Sequence, residues 1–300
     1  MKLSQQICLG MLSQCLCCAA LCAQEQARQN VAPEAPRKSG AVVETATQFP
    51  FRPMLAWQGQ RFIFLSSPKP LENASYDDFT GARKRKDYMG RIAKVVSVSD
   101  FSGRVHLELE LEDTGEHLRA RTAPNKESVA GLMLVDDLEK ARQQWTGQTL
   151  WCRQMRLATY DEASDQLGSL ALKKYAPLKV VEVKPGWDEE KPLRFVLQTG
   201  DGKQGFLDVN LSGTNVQREV RHLNHFEEHF LNEDPRAKYK WPARIWAAIE
   251  SNRVISGMTM EQVRFSWGEP EKTARTATGE QWTFAAGVLT FRNGVLTGIQ

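Results

Sequence analysis

Trp57-Gln58-Gly59-Gln60 is echoed by Trp145-Thr146-Gly147-Gln148, and the markers that follow each copy keep their order. Tyr76-Asp77-Asp78 matches Tyr160-Asp161-Glu162, and Tyr88 with Ile92-Ala93-Lys94-Val95-Val96 matches Tyr175 with Pro177-Leu178-Lys179-Val180-Val181. Residues 105–112 then match residues 193–199, closed by turns at Asp113-Thr114-Gly115 and Gly200-Asp201-Gly202. A repeat that keeps register over several markers requires both copies to fold alike. Each copy alternates apolar and polar residues between closely spaced glycine turns, the pattern of a small antiparallel β-barrel.

The rest of the chain is organised around these copies. Lys2 precedes an apolar run over residues 7–23, interrupted at Ser13 and Gln14 and too short to span a bilayer comfortably. We expect a cleaved signal peptide over 1–23, with Ala23 at the cut. Cys8, Cys15, Cys17, Cys18 and Cys22 leave with it, and none is preceded by the small residue a lipid anchor needs. Lone Cys152 then excludes an internal disulfide and reads as a buried, inert thiol after Trp151. Removing Lys2 lowers the formal charge from +3 to +2, so no nucleic-acid partner is expected. Residues 24–50 mix Gln, Ala, Pro, Arg and Lys without periodicity and read as a flexible tether. The β-rich modules occupy 51–133 and 134–215. Leu134, Leu138, Ala141 and Trp145 line a short helix leading into the second, and Leu223, Phe226 and Phe230 predict a connecting helix within 216–240.

Residues 241–300 have a different grammar. Trp241, Ile245 and Ile249 recur at helical spacing behind Pro242, which suits a first helical position. Thr259 and Gln262 make a capping box, Met260, Val263 and Trp267 form the stripe of the helix it starts, and Gly268 and Pro270 stop that helix. Strands follow over 281–284, 288–291 and 295–299, the last two joined by an Asn293-Gly294 turn. With GMTMEQV, WGEP, EQWTF and FRNGVLT in this order, the segment resembles the small outer-membrane assembly lipoproteins called BamE, SmpA or OmlA. The resemblance covers about a fifth of the chain. It implies a two-helix, three-strand domain in the envelope of a two-membrane bacterium, in the periplasm or at the outer-membrane periphery. Similar small domains occur in secreted enzyme inhibitors. In pattern and size, the tandem copies resemble bacterial barrels of the Src-homology-3 type.

Candidate sites are few. His222, His225 and His229 fall on one arc of the predicted connecting helix, where the last two have a chelating spacing. No cysteine or carboxylate motif accompanies them, so we expect a helix shoulder and no metal or other cofactor. Arg83-Lys84-Arg85-Lys86 forms a basic loop that would meet anionic lipid or polysaccharide, or simply face water beside Asp77, Asp78 and Asp87. Gly200-Asp201-Gly202-Lys203-Gln204-Gly205 has nucleotide-loop spacing but precedes a strand, so a hairpin turn explains it. His106, His117 and the alternating Glu108, Glu110 and Glu112 belong on the wet face of a strand. No nucleophile, base and orienting group stand together, and we expect no catalysis. The chain reads as mainly β plus α+β: a noncatalytic envelope protein that binds a protein partner, without a transmembrane span once mature. An enzyme inhibitor is the alternative, and a cell-wall hydrolase the third reading. Trp187 and the aromatic strands of the terminal domain are candidate contact points, or core residues.

Overall fold

In the computed structural model, residues 49–81, 83–223, 225–277 and 279–300 are described; the expected signal peptide and nearly all of the tether lie outside them. They build three antiparallel sheets and five short helices, a mainly β architecture with an α+β end.

The first sheet comprises β1 (Arg61–Phe64), β2 (Ile92–Phe101), β3 (Arg104–Leu111), β4 (His117–Arg121) and β5 (Leu132–Leu134), in the order β4-β3-β2-β1-β5. Ser102 and Gly103, at φ 55° and 71°, turn β2 into β3. Strict alternation in β4 sends Leu118 and Ala120 inward, onto Trp57, Phe62, Phe64 and Leu109.

Helix α1 (Val135–Trp145) then buries Leu138, Ala141 and Trp145, as its periodicity predicts. It leads into β6 (Thr149–Cys152), β7 (Arg156–Asp161), β8 (Gln166–Ala171), β9 (Ala176–Pro185), β10 (Leu193–Gln198) and β11 (Gln204–Val209). These form the second sheet, whose order is β12-β6-β9-β10-β11-β7-β8 once β12 (Phe230–Leu231) is included.

The echoed motif folds the same way twice. Gly59 N donates to Val95 O at 2.8 Å while Val95 N donates to Gln60 O at 2.9 Å; Gly147, Val180 and Gln148 repeat both bonds at 2.8 and 2.9 Å. The two glycines share the left-handed region, φ 79° and 84°, with open space where a Cβ would stand, so backbone conformation alone selects glycine. The strand orders β5-β1-β2-β3-β4 and β12-β6-β9-β10-β11 correspond. In both, the excursion after the first strand returns to the fourth, through Phe79↔Ala120 and Ala158↔Phe206.

The copies do not have separate cores. Phe62 and Phe64 of β1 face the first cluster, whereas Ile63 and the following Leu65 join Trp145, Phe195 and Phe226 in the second. Leu132 and Leu134 of β5 likewise face one way and Met133 the other. β1 and β5 are therefore a wall buried on both faces. Asn215, buried beyond the end of the second copy, accepts from Val129 N at 2.6 Å and donates to the carbonyls of Val129 and Leu132.

The predicted connecting helix over 216–240 is corrected by the structure. Only α2 (Phe226–His229) and α3 (Pro235–Lys238) are helical, and the chain between them pairs as β12 with β6, Phe230 opposite Cys152. Backbone pairing at the open edge of β6 gives these residues more hydrogen bonds than one isolated turn could. Phe226 and Phe230 still reach the core, but Leu223 is exposed. Asp234 caps α3 by accepting from Arg236 N at 2.8 Å.

At the C-terminal end α4 (Ala243–Glu250) and α5 (Met260–Trp267) precede β13 (Lys272–Thr276), β14 (Gly279–Phe284), β15 (Gly287–Arg292) and β16 (Val295–Ile299), paired in that order. The capping box is present: Thr259 N donates to Gln262 Oε1 at 2.9 Å and Gln262 N to Thr259 Oγ1 at 3.3 Å. Pro242 is the N-cap, one position earlier than expected. Asn293 and Gly294 turn with φ 51° and 76°. The sheet has four strands where three were expected, because every residue of β13 is exposed and its sequence carries no alternation. Trp282 and Phe291 are core residues, as are Ile245 and Ile249, while Met260 and Trp267 pack at its margin.

One buried carboxylate gives this fold a pH dependence. Asp137 lies in the first turn of α1, accepts a hydrogen bond from Ser212 Oγ, and is pushed up to about 6, by burial above all, against that bond. Its folded value exceeds its unfolded one, so the folded state holds the extra proton between about pH 4 and pH 6. Stability should rise as pH falls through that window, by ~2–3 kcal/mol in all. Asp137→Asn should flatten that rise in urea titrations run from pH 7 to pH 4.

Candidate functional site

A concavity of about 560 Å3 opens where the 66–72 loop of the first copy faces β7, β10 and β11 of the second. Its wall is built on Arg194, whose position opposite Asp208 in the β10–β11 register permits a two-point ion pair, Nε to Oδ1 at 2.8 Å and Nη2 to Oδ2 at 2.7 Å. The guanidinium carbon sits 3.9 Å from the Trp187 ring centroid and 3.7 Å from that of Phe206, in the corner made by two rings that meet edge-on with centroids 5.8 Å apart. Tyr160 meets Trp187 edge-on at 4.8 Å. The Tyr160 hydroxyl donates to Asp165, a bond that pushes its pKa up to about 12.

Trp187 sits on the short connection between β9 and β10, which is tied at both ends. Gly186 N donates to Pro192 O at 2.7 Å, and a Cβ on Gly186 would come within 3.0 Å of Lys191 O. Glu189 on the same connection reaches into the first copy, accepting from Gly131 N at 2.8 Å with the Arg85 guanidinium 3.7 Å away. Burial raises the Glu189 pKa against the pull of Arg85. In the other direction Lys69 Nζ donates to Glu162 O at 3.0 Å, so side chains cross the cleft from both copies. Ser67, nine-tenths buried beside the cleft, has a hydroxyl with no partner. Gly205 is obligatory on the floor, because a Cβ there would lie 2.7 Å from Leu157 Cβ. The cleft thus offers aromatic faces set around a fixed cation to an elongated ligand. No histidine or cysteine lines it.

The residues singled out from sequence distribute differently. Trp187 is in the cleft, but its partners Arg194, Phe206 and Asp208 carry no local signal; Tyr160 was visible only as a repeat marker. The basic run is split: Arg83 pairs with Glu116 and Tyr88, Arg85 lies 5.2 Å over the Tyr76 ring, and only Lys84 and Lys86 are exposed. It does not present four cations to one surface, because alternate residues turn inward. His222, His225 and His229 do not share a helix, since α2 begins only after His225; among the described residues no cluster of three metal-binding side chains forms. His229 Nδ1 lies 3.1 Å from Gln154 Nε2. The Gly200–Gly205 glycines belong to the β10–β11 hairpin. Cys152 is buried and its thiol is pushed up to about 12 by burial. His106 and His117 lie on the outward face of the β3–β4 pair, where Glu108 is 3.4 Å from His117. No family model, no curated protein and no solved structure matches the chain. Among the described residues no helix is long and apolar enough to cross a membrane.

Proposed function

We propose that this chain is a noncatalytic, exported cell-envelope protein that holds an extended segment of a partner protein in the Trp187 cleft. The observation that carries this reading is the cleft wall: Tyr160, Trp187 and Phe206 around a guanidinium fixed by Asp208. Aromatic-lined grooves suit proline-bearing extended peptides, whose backbone is already stiff. About 560 Å3 accommodates a few residues and not a folded domain. The repeated strand order supports a duplicated Src-homology-3-like module, and the helix-helix-sheet order at the C-terminal end supports a BamE-like domain at the outer-membrane periphery. On this reading the tandem copies bind the partner and the terminal domain contributes the address.

The test is photo-crosslinking in living cells from Lys69 and Gln204, both exposed on the cleft rim. Both positions should capture the same envelope protein, and Trp187→Ala should abolish capture without lowering the amount of folded protein. Capture indifferent to Trp187→Ala, or none from either position, would sink the reading.

A further inference from the structure

A second concavity, about 360 Å3, shares no residue with the Trp187 cleft. Phe49, Phe51, Arg218, Arg221, His222 and His225 are among the residues that line it. We infer that it is a binding site for a phosphate group.

Charge is the first argument. Glu127 is shared, its Oε1 2.6 Å from Arg218 Nη2 and its Oε2 2.7 Å from Arg221 Nη2. One carboxylate between two guanidinium groups leaves a positive charge uncompensated before either imidazole is counted, and no carboxylate lines the concavity itself. Unmet hydrogen-bonding capacity is the second. Arg221 Nε and His225 Nδ1 are both buried without a partner, although such groups are almost always satisfied in folded proteins.

The wall is also built in advance. Gly213, at φ 68°, leaves room for the Arg221 stem, since a Cβ there would stand 2.3 Å from Arg221 Cγ. The guanidinium carbon rests 3.8 Å over the Phe51 ring, and Val216 O accepts from Nη2 at 3.3 Å. Buried Asn210 holds the main chain, donating from Nδ2 to Arg221 O at 2.9 Å and bridging to His225. Guanidinium and imidazole side chains lining one concavity match a tetrahedral oxyanion with several acceptor oxygens. Ordering costs are low because Arg221 is already in place.

The phosphate could come from a lipid headgroup or a soluble phosphate compound, and the experiment separates them. Inorganic phosphate is titrated into the full chain while the imidazole signals of His222 and His225 are followed by NMR. A saturable shift is expected, with apparent affinity reduced ~10-fold or more by Arg218→Met or Arg221→Met. Arg221→Met keeps the stem against Gly213. Should it fail to fold, Arg218→Met with His222→Gln carries the test, because both side chains are exposed. Retention on phosphatidylglycerol vesicles that inorganic phosphate competes away identifies the lipid source. A phosphate shift without vesicle retention identifies a soluble one. No saturable shift, or a shift that the arginine substitutions leave unchanged, overturns the site.

Discussion

Trp145→Ala should bring down both copies of the repeat together. Trp145 is almost fully buried, stacks on Phe226 at 4.5 Å between centroids, and meets Phe195 at 5.5 Å. Removing an indole from such a site costs ~3–5 kcal/mol in lost transfer free energy and residual cavity. What makes the loss global is the wall formed by β1 and β5. Ile63, Leu65 and Met133 belong to the first copy but pack in the cluster that contains Trp145, while their neighbours Phe62, Phe64, Leu132 and Leu134 hold the other core. Loosening one face of a two-residue-period strand loosens the other. Urea unfolding followed by proteolysis at sites in each copy should give coincident transitions shifted to lower denaturant. A variant in which residues 61–121 stay protected while 149–209 are cut would show that the copies are independent modules.

That coupling was not legible in the sequence, whereas the elements that depend on near neighbours were. The Thr259 capping box, the Asn293-Gly294 turn and the two Trp-x-Gly-Gln turns each close within four residues, so the residue types alone specify the geometry. Phe230 and Leu231 show the opposite case. The helical spacing of Phe230 with Phe226 is real, yet the conformation of Phe230 and Leu231 is decided by the open edge at Trp151 and Cys152, far away in the chain. Propensity is a weak prior against such a partner. The missing β13 fails for another reason: a fully exposed edge strand has no buried face to imprint alternation on Lys272–Thr276. The Trp187 cleft is intermediate. A tryptophan in a polar connection stands out, but Arg194 and Asp208 become a pair only through the β10–β11 register, and Lys69 meets Glu162 only because the copies abut. The phosphate concavity was partly in view, since His222 and His225 drew notice as ligands. Their true company, Arg218 and Arg221, appeared only once the segment was seen to be turns and not a helix.

Asp208→Ala should be the most damaging single change at the cleft, and more damaging than Trp187→Ala. Arg194 is 4 % exposed, and its guanidinium is held by both carboxylate oxygens of Asp208. Deleting the carboxylate leaves a buried cation between two aromatic rings that cannot accept conventional hydrogen bonds from its Nε and Nη2, a loss of ~3–5 kcal/mol. Asp208→Asn, which keeps one acceptor, should lose less. The informative variant is Arg194→Met combined with Asp208→Leu, because replacing a buried ion pair with apolar groups of similar volume is often neutral or better. It should recover most of the stability lost in Asp208→Ala, read as the urea midpoint. Crosslinking from Lys69 and Gln204 should nevertheless be lost in it, since Trp187 and Phe206 no longer share a cation that sets their spacing. Recovery of both stability and capture would mean that the guanidinium only fills space, and the partner then reads the aromatic faces alone.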